Sequence, residues 1–448
     1  MNRRGFLALP LLAAAPGRPL SIATFQTDVT PPLGSPLGLG TVDRAAALDD
    51  PLSARGIVFF VPPAPIVLCA VDWIGISNQG HDQWCAALAK AAGTTPERVS
   101  VHTLHQHDAP GYDPGAEEIA ATQDLTGELF DPKFAAEAMR RTAAAVAQAV
   151  SQPRSVTHLG IGQAKVEQVA SNRRVLGPDG TVKYARMSAT RSAEARAQPE
   201  GTIDPFVRLL SLWNLDRPLV SLTYYATHPQ SYYGKGGISA DFVGAARGLR
   251  ESALPGVSHI HFNGAGGNVA AGKYNDGAHE NRAILAARLA AGMKSAWDAT
   301  VRTPVTASAI EWRSKAVSLP LGERFSDASL RSTLVDAKLP VRERLRAARD
   351  LSWTRRQAAG RQVRLHCLRI GDARVLHMAG ELFVEYQLAA QRMIPANVVA
   401  MAAYGDFGPG YIGTDIAYSQ GGYETGIVSR VKPGVEGVLM DAMRELLR

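Results

Sequence analysis

Two histidines separated by one residue are the first side chains whose spacing points to chemistry. His105 and His107 lie in the segment VHTLHQHDAP, which begins at Val101. On an extended segment alternate side chains project to the same side, so both imidazoles would point together, with His102 facing away in a structural role. Such a pair can bind a metal ion or place one ligand beside a general acid. The alternative is two ordinary core or surface histidines, because an H-x-H pair alone is a weak signal.

A third histidine and a carboxylate would complete a ligand set. His228 follows the strand-like run SLTYYA, and Pro229 prevents simple continuation of that strand. Glu381 follows Gly380 at an expected helix start, where the helix dipole favours a carboxylate whether or not it binds a metal. Two histidines and one carboxylate are the ligands of many catalytic zinc sites. A lone histidine at a strand end is more often structural, so the set has meaning only if its members meet in space.

Several tyrosines follow on a glycine-rich segment. The stretch YGDFGPGYIGT begins at Tyr404, and Tyr418 and Tyr423 come shortly after it. Glycines this dense indicate an irregular loop with close backbone approach. Tyrosines on such a loop suit metal ligation, oxyanion stabilisation or contacts to sugars and lipids. For Tyr404 and Tyr418 we expect aromatic packing.

The elements that must position these residues alternate between strands and helices. Strand patterns cover 56–61, 64–71, 99–103, 157–166, 219–226, 257–262, 307–317, 363–370 and 398–403. Helical patterns cover 78–92, 132–150, 278–297 and 326–359, the last one densely charged, interrupted at Pro340 and expected on the surface. With no Pro/Gly/Ser linker, this alternation predicts an α/β fold: one large domain of mixed β-sheets flanked by helices, covering residues 20–448. The chemical residues follow strands, so we expect them to converge on one crevice.

Composition argues against two classes of partner. The 448-residue chain has a formal net charge of +7, but its basic residues are scattered, apart from 342–361 and the extreme N-terminus, and are not interleaved with aromatics. We therefore expect a solvated basic surface and no nucleic-acid partner. No stretch is long and apolar enough for a transmembrane segment.

Three distant cysteines, Cys69, Cys85 and Cys367, could form one disulfide at most.

The N-terminus predicts export. Arg3 and Arg4 form a twin-arginine pattern, and a short apolar run from Phe6 to Ala15 follows, ending in small residues before Pro16. We expect residues 1–15 to be an export signal and the protein to be periplasmic or extracellular. The alternative is the basic start of a cytosolic protein.

Five short motifs occur in an order that resembles the catalytic, N-terminal domain of the neutral/alkaline non-lysosomal ceramidase family. That family shows T-H-T-H-S-G-P, A-T-H, N-G-x-x-G-D-V-S-P, P-G-E and Y-x-T-T elements. The counterparts are HQHDAP from His105, ATH ending at His228, NGAGGNV from Asn263, GE ending at Glu381 and YIGT from Tyr411. The resemblance runs from about residue 28 to residue 424, and it implies the ceramidase catalytic-domain fold.

The resemblance also implies roles for individual residues. It implies one zinc ion with four protein ligands: His105, His228, Glu381 and Tyr411. By the same resemblance, His107 and Tyr423 would face the scissile carbonyl and its oxyanion. Arg173, which follows Asn172, is similar to the family's active-site arginine and would act as an anion clamp.

The sequence departs from the family in two respects. The family's serine, proposed as its nucleophile, is replaced by Ala270 in the run GNVAA. The chain ends soon after Tyr423, so we expect a divergent bacterial ceramidase-like member without the C-terminal immunoglobulin-like domain.

A polar run, GKYND, follows Ala271. We expect four polar residues in and near it to recognise the substrate: Asn268, Lys273, Asn275 and Asp276. The alternative for this run is ordinary turn chemistry.

Together these features predict a zinc-dependent hydrolase that cleaves an amide (N-acyl) bond of a small-molecule or lipid-like substrate. Because the serine is absent, a metal-activated water is the expected nucleophile. One alternative is an esterase or another metal-dependent hydrolase of a small polar substrate on the same scaffold. A non-catalytic exported metal-binding protein is less favoured, because structural zinc is normally closed by four Cys or His ligands.

Overall fold

β-Strands recur along the whole described chain. The computed structural model describes residues 18–448, so the expected export signal at residues 1–15 lies outside the described residues. In this part of the chain the strands are β1 (Leu20–Asp28), β2 (Ala47–Leu48), β3 (Ser53–Phe60), β4 (Ile66–Val71), β5 (Gly75–Ile76), β6 (Val99–Thr103), β7 (Gly111–Tyr112), β8 (Arg154–Val156), β9 (His158–Lys165), β10 (Ser171–Asn172), β11 (Arg174–Leu176), β12 (Val182–Ala185), β13 (Phe206–Asn214), β14 (Arg217–Tyr225), β15 (Gly237–Ile238), β16 (Ser258–Asn263), β17 (Val269–Ala270), β18 (Val301–Pro304), β19 (Ile310–Val317), β20 (Val363–Ile370), β21 (Ala373–His377), β22 (Glu381–Leu382), β23 (Val398–Ala402) and β24 (Tyr411–Ile412).

Helices lie between these strands. Over residues 18–448 they are α1 (Gln79–Ala92), α2 (Pro114–Ala121), α3 (Pro132–Val150), α4 (Ala193–Ala197), α5 (Asp241–Ala253), α6 (Glu280–Asp298), α7 (Asp327–Val335), α8 (Val341–Ala358), α9 (Val384–Met393), α10 (Asp415–Ser419) and α11 (Val435–Leu447). None of the described helices is both long and apolar enough to cross a membrane. All three cysteines are buried and free, so the one disulfide that the sequence allowed is not formed.

Three larger sheets, each of mixed strand direction, form the framework. The first has the order β6-β4-β3-β1-β8, the second β16-β14-β13-β9-β18 and the third β19-β20-β21-β23. In each sheet one edge strand runs parallel to its neighbour: β6 beside β4, β16 beside β14 and β23 beside β21. The remaining pairs in these sheets are antiparallel. These mixed sheets with flanking helices confirm the predicted α/β class.

The sheets share a core. Leu68 of the first sheet, Leu222 of the second and Leu368 of the third are fully buried in one apolar cluster. A larger cluster packs helices against the first and third sheets and contains Trp73 and Trp353. Burying an aliphatic side chain of this size contributes roughly 1.5–3 kcal/mol, so sheet-on-sheet contact is a main source of stability.

One predicted helix differs from its expected environment. Pro340 does break the charged 326–359 pattern, since α7 ends at Val335 and α8 begins at Val341. However, α8 is not a purely surface helix, because it buries Leu345, Ala348 and Leu351. The apolar residues at helical spacing, hidden among many arginines, bury one side of α8 and leave the other side polar.

The carboxyl ends of the three parallel edge strands meet at one place. Thr103 N, at the end of β6, donates to Tyr404 O beyond β23, at 2.9 Å. Ala403 N donates to Asn263 O, at the end of β16, also at 2.9 Å. The amide of Asn263 in turn donates to Leu104 O at 2.6 Å. These bonds link all three sheets in a closed ring, and the segments that follow the strands are forced together beside it.

Candidate metal centre and the cavity beside it

Two imidazoles and one carboxylate meet beyond the joined strand ends. His105 follows β6, His228 follows β14, and Glu381 begins β22. The Oε2 atom of Glu381 lies 3.1 Å from Nε2 of His105 and 3.0 Å from Nε2 of His228. All three residues are buried, and their ligand atoms lie within 4.8 Å of one another. They form the one group of this kind found among the described residues.

Backbone carbonyls fix which nitrogen each imidazole offers. Nδ1 of His105 lies 2.7 Å from Ile74 O, and Nδ1 of His228 lies 2.6 Å from Gly266 O. A carbonyl can only accept, so both Nδ1 atoms carry the proton and donate it, which leaves the Nε2 atoms facing Glu381. Metal-bound histidines are usually oriented by this kind of outer hydrogen bond.

The resulting arrangement calls for a cation. Burial, followed by the charge of Arg173, lowers the pKa of His228 to about 4, so its ring is neutral near pH 7. Its Nε2 is then an acceptor 3.0 Å from a carboxylate oxygen, another acceptor. Nε2 of His105 is buried without a hydrogen-bond partner. Two imidazole nitrogens and a carboxylate oxygen that converge in this way suit a divalent metal ion between them.

Tyr411 joins the group through a short ladder. Strands β22 and β24 are parallel, and Glu381 is paired directly with Tyr411. The phenol oxygen of Tyr411 lies 2.9 Å from Nε2 of His228, and the two rings stack with centroids 5.8 Å apart. The structure therefore brings together all four residues that the sequence predicted as ligands. It also differs from the sequence interpretation locally, because Glu381 lies in a strand and α9 begins only at Val384.

Arg173 contacts the group of predicted ligands on the side away from the cavity. Its Nη1 donates to the phenol oxygen of Tyr411 at 3.0 Å, and its Nε pairs with Glu424 at 3.1 Å. Burial lowers the pKa of Arg173, but Tyr411 and Glu424 outweigh it and raise the pKa above its usual value. The guanidinium is 2% exposed and does not line the cavity described next. It is thus placed to hold Tyr411, and the expected direct clamp on a substrate anion is not what this position allows.

A cavity of about 420 Å³ opens on the other side of the centre. His105, Glu381 and Tyr411 form part of its wall, together with His107 and Tyr423. The His107 ring lies 5.1 Å from that of His105, and the Tyr423 ring lies 5.8 Å from that of Tyr411, centroid to centroid. Both residues that the sequence assigned to the scissile carbonyl therefore lie in reach of a molecule bound beside the four predicted ligands.

Burial sets the protonation of these two groups. It lowers the pKa of His107 well below 6.5, and the neighbouring His105 and His228 lower it further. A neutral imidazole has one donor and one acceptor nitrogen. Burial raises the pKa of Tyr423, so this phenol keeps its proton near neutral pH.

The four residues expected to recognise the substrate lie elsewhere. Asn268 accepts from Val384 N at the start of α9, and its amide donates to Glu385. Lys273 Nζ donates to the carbonyls of Arg196 and Gln198.

The other two expected recognition residues also bond to nearby protein groups. The amide of Asn275 donates to the carbonyls of Ser188 and Ser231. The carboxylate of Asp276 accepts from Ala278 N. None of the four expected recognition residues lines the cavity. Turn chemistry accounts for the local contacts of Asn275 and Asp276, whereas Asn268 and Lys273 bond to segments distant in sequence.

Other residues of the site received no catalytic role from the sequence. Tyr404 was interpreted as packing, and its ring indeed stacks on the imidazole of His105. Tyr233, five residues beyond His228, lies with its ring centroid 4.5 Å from that of His107. Arg346 and Arg349 of α8 line the cavity, although their helix was expected on the surface. The spacing of Tyr233 after His228 and the clustered arginines of 342–361 are the sequence signals that could have found the other three residues.

Comparison with known proteins identifies solved structures that share the fold of this chain. No protein-family model and no characterised protein sequence matches the chain. Among solved structures, a ceramidase complexed with C2 is 16% identical, with a TM-score of 0.69 over 96% of this chain and 75% of that one. The neutral ceramidase from Pseudomonas aeruginosa is 17% identical, with a TM-score of 0.68 over 96% of this chain and 74% of that one. The predicted ceramidase-like fold is therefore confirmed: described residues of this chain adopt the architecture of solved neutral ceramidases.

Proposed function

We propose that this chain is a zinc-dependent hydrolase that cleaves the carbon–nitrogen bond of an N-acyl substrate, as a divergent relative of the ceramidases. The observation that carries the proposal is the meeting of His105, His228 and Glu381 beside an open cavity whose wall includes His105 and Glu381. A structural metal site would have no need of a cavity or of a neighbouring neutral histidine. The fold shared with solved ceramidases favours an amide as the bond that is cleaved.

The donor set fits zinc. Two imidazole nitrogens, a carboxylate and a phenol are compatible with a catalytic zinc site that keeps a position for substrate or water. Zinc supplies Lewis-acid polarisation of a carbonyl and acidifies water to a pKa of about 7. The protein would contribute the orientation of the ligands, the shape of the cavity and the groups that move protons.

The nucleophile in this proposal is water. Among the described residues that line the cavity there is no serine and no cysteine. Ala270, at the position of the family's serine, is fully buried in β17 and lies outside the cavity lining. Thr41 does line the cavity, but its hydroxyl donates to Gly38 O at 2.6 Å. Covalent catalysis by a side-chain hydroxyl at Ala270 is impossible.

The cavity residues can carry out each proton transfer that amide hydrolysis requires. The oxygen of a water adds to the carbonyl carbon, and the acceptor nitrogen of neutral His107 takes a proton from that water. The phenol of Tyr423 donates a hydrogen bond to the carbonyl oxygen as negative charge develops on it. The carbon–nitrogen bond then breaks, and His107 returns the proton to the leaving nitrogen. The products are a carboxylic acid and an amine.

Arg173 acts as a positioning residue in this scheme. It donates to Tyr411 and is itself held by Glu424, so it fixes the phenol beside His228. Burial raises the pKa of the Tyr411 phenol, and the positive charge of Arg173 partly offsets that rise. In this position Arg173 stabilises the form of Tyr411 that is the better ligand.

One assay tests the proposal. Matched N-acyl amides and O-acyl esters, each with an acetyl or a dodecanoyl group, are incubated with the protein before and after removal of metal by a chelator. We expect amide hydrolysis that is lost with the chelator and restored by zinc. Ester hydrolysis with no amide hydrolysis would instead identify an esterase on the same scaffold. Zinc that binds tightly without hydrolysis of either series would argue for a binding protein.

Export is a separate part of the proposal. We infer from Arg3, Arg4 and the apolar run after them that residues 1–15 direct the protein out of the cytoplasm by the twin-arginine route. Replacing both arginines with lysine in the full chain should retain the protein in the cytoplasm, as judged by cell fractionation. A variant that still reaches the periplasm in equal amount would refute this route.

A further inference from the structure

Three arginines on one face of α8 line the same cavity as the predicted metal ligands His105, Glu381 and Tyr411. Arg342, Arg346 and Arg349 are spaced by four and three residues, so they lie along one side of the helix. Leu351, on the opposite side of α8, is fully buried in the core, and Leu345, beside the row, is 1% exposed. Core packing therefore fixes the direction in which the row of guanidinium groups points.

These three charges have no protein partner. Within residues 18–448, no carboxylate oxygen lies within 4.0 Å of their side-chain nitrogens, and those nitrogens donate no hydrogen bond to the protein. Glu343 also lines the cavity but forms no ion pair. A fourth cavity arginine shows the contrast, because Arg430 pairs with Asp350 at 2.6 Å and donates to a backbone carbonyl.

Leaving such charges unpaired is costly where solvent is partly excluded. Burial, with the charge of Arg430, lowers the pKa of Arg349 to about 10. The charges of Asp350, Asp113 and Glu381 partly offset this effect. Each of these carboxylates already has other partners: Arg430 for Asp350, Asn78 and Ser352 for Asp113, and the two imidazoles for Glu381. Planar guanidinium groups match carboxylate, phosphate and sulfate oxygens in pairs of hydrogen bonds. An anionic ligand would therefore supply the partner that Arg342, Arg346 and Arg349 do not have within the protein.

We propose that the substrate carries an anionic group, a carboxylate, phosphate or sulfate, which Arg346 and Arg349 bind while its amide reaches the centre at Glu381. This inference rests on the proposed function, since it names the substrate class of the same cavity. Apolar side chains of Val42 and Ile427 also line the cavity and can contact the acyl part of such a substrate. An uncharged amide would leave the arginine row unpaired.

The test compares amides that differ only in charge. N-acetylglycine and N-acetyl-aminomethylphosphonate are anionic, and N-acetylglycinamide is the neutral control. We expect kcat/KM to be about 10- to 100-fold higher for one or both anionic amides, the value of a charge-assisted hydrogen bond. Dodecanoyl versions of the same compounds distinguish an anionic lipid amide from a small polar one.

Variants connect the preference to the arginine row. In Arg349→Met and in Arg346→Met, the ratio of kcat/KM between anionic and neutral amides should fall about 10-fold, and Arg349→Lys should lie between. Arg355→Met is the matched control, because Arg355 is on the same helix but outside this cavity. Its ratio should equal that of the wild-type chain. Thermal melting of each variant checks that it is folded.

Two results separate failure of this inference from failure of the proposed function. Equal hydrolysis of charged and neutral amides, at both chain lengths, would overturn the anionic substrate and leave the amide hydrolase standing. If no amide is hydrolysed, calorimetric titration with N-acetylglycine and N-acetylglycinamide decides. Binding of the anion alone, weakened by Arg349→Met but not by Arg355→Met, would support the anion site without amide cleavage. Absence of such binding would overturn it.

Discussion

The imidazole of His105 lies flat against the phenol ring of Tyr404, with ring centroids 4.8 Å apart and planes inclined by 22°. Both residues have left-handed backbone conformations, with φ of 67° and 61°. Non-glycine residues rarely adopt that region, and each instance costs of the order of 1–3 kcal/mol. The backbone of Tyr404 also bonds to Gly380 O and to Thr103 N, so it connects the segments that carry His105 and Glu381. The stacked pair therefore orients one predicted ligand through two strained residues.

The contribution of the Tyr404 ring can be separated from that of its hydroxyl. Tyr404→Phe keeps the stacking and removes a hydroxyl that has no hydrogen-bond partner, so zinc affinity should change little. Tyr404→Leu keeps the same backbone strain but removes the stacking, and zinc affinity should fall about 10-fold or more. Competition with a chromophoric chelator measures both dissociation constants. Equal affinities in the two variants would contradict an orienting role for the ring.

Removal of a predicted ligand should remove the metal. His228→Ala and Glu381→Ala each delete a group from the buried set, and each should lose zinc and hydrolytic activity together. The loss of affinity should exceed the 10- to 100-fold typical of an outer partner. Metal analysis of the purified variants gives the stoichiometry, with the exposed Glu311→Gln as control. Stoichiometric zinc in either alanine variant would refute the ligand assignment.

His107 should matter for turnover and not for metal binding. His107→Gln removes the acceptor nitrogen beside the cavity but leaves the predicted ligands His105, His228, Glu381 and Tyr411 untouched. We expect zinc content to be unchanged and kcat to fall by about 10²–10³. His158→Gln, at the start of β9 and outside the cavity, is the matched control. A variant with normal kcat would remove His107 from the proposed reaction.

A buried ion pair outside the cavity lining should stabilise the fold. Arg247 donates to both carboxylate oxygens of Asp72, at 2.9 and 2.7 Å. Asp72→Asn leaves the guanidinium charge buried and unpaired, so the free energy of unfolding should fall by about 3–5 kcal/mol at neutral pH. Asp298→Asn, in an exposed pair with Lys294, should cost less than about 1 kcal/mol. Urea unfolding of both variants measures the difference.

The effect of Asp72→Asn should also depend on pH. Burial raises the pKa of Asp72, but the charge and hydrogen bonds of Arg247 outweigh it, so the net pKa lies below 3.8. A carboxyl with a lower pKa in the folded state stabilises the protein above its unfolded pKa of about 3.9. This contribution is lost as pH falls through the folded pKa. The stability gap between wild type and variant should therefore shrink below about pH 4, and a constant gap would contradict the assignment.

The amino-acid sequence by itself determined the types of residue that follow each strand. His105 and His228 occur where apolar strand runs end, and Glu381 and Tyr411 lie in Gly-rich segments after other such runs. Local patterns of period two and 3.6 were enough to predict the α/β class and several element boundaries, including α3 exactly. The order of the five motifs supplied the candidate ligands and the ceramidase-like fold, because that order preserves which residue follows which strand.

The tertiary structure decided what those residues contact. His228 and Glu381 are 153 positions apart, and only the joining of three sheets at their strand ends brings them to 3.0 Å. In the same packing, Lys273 and Asn275 donate hydrogen bonds to backbone carbonyls and do not reach the cavity, whereas Arg349 lines it. Sequence periodicity describes one element at a time, whereas the partners of a side chain depend on how separate elements pack. That physical difference is why motif order in the sequence could name candidate ligands but could not say which arginines of α8 face the cavity.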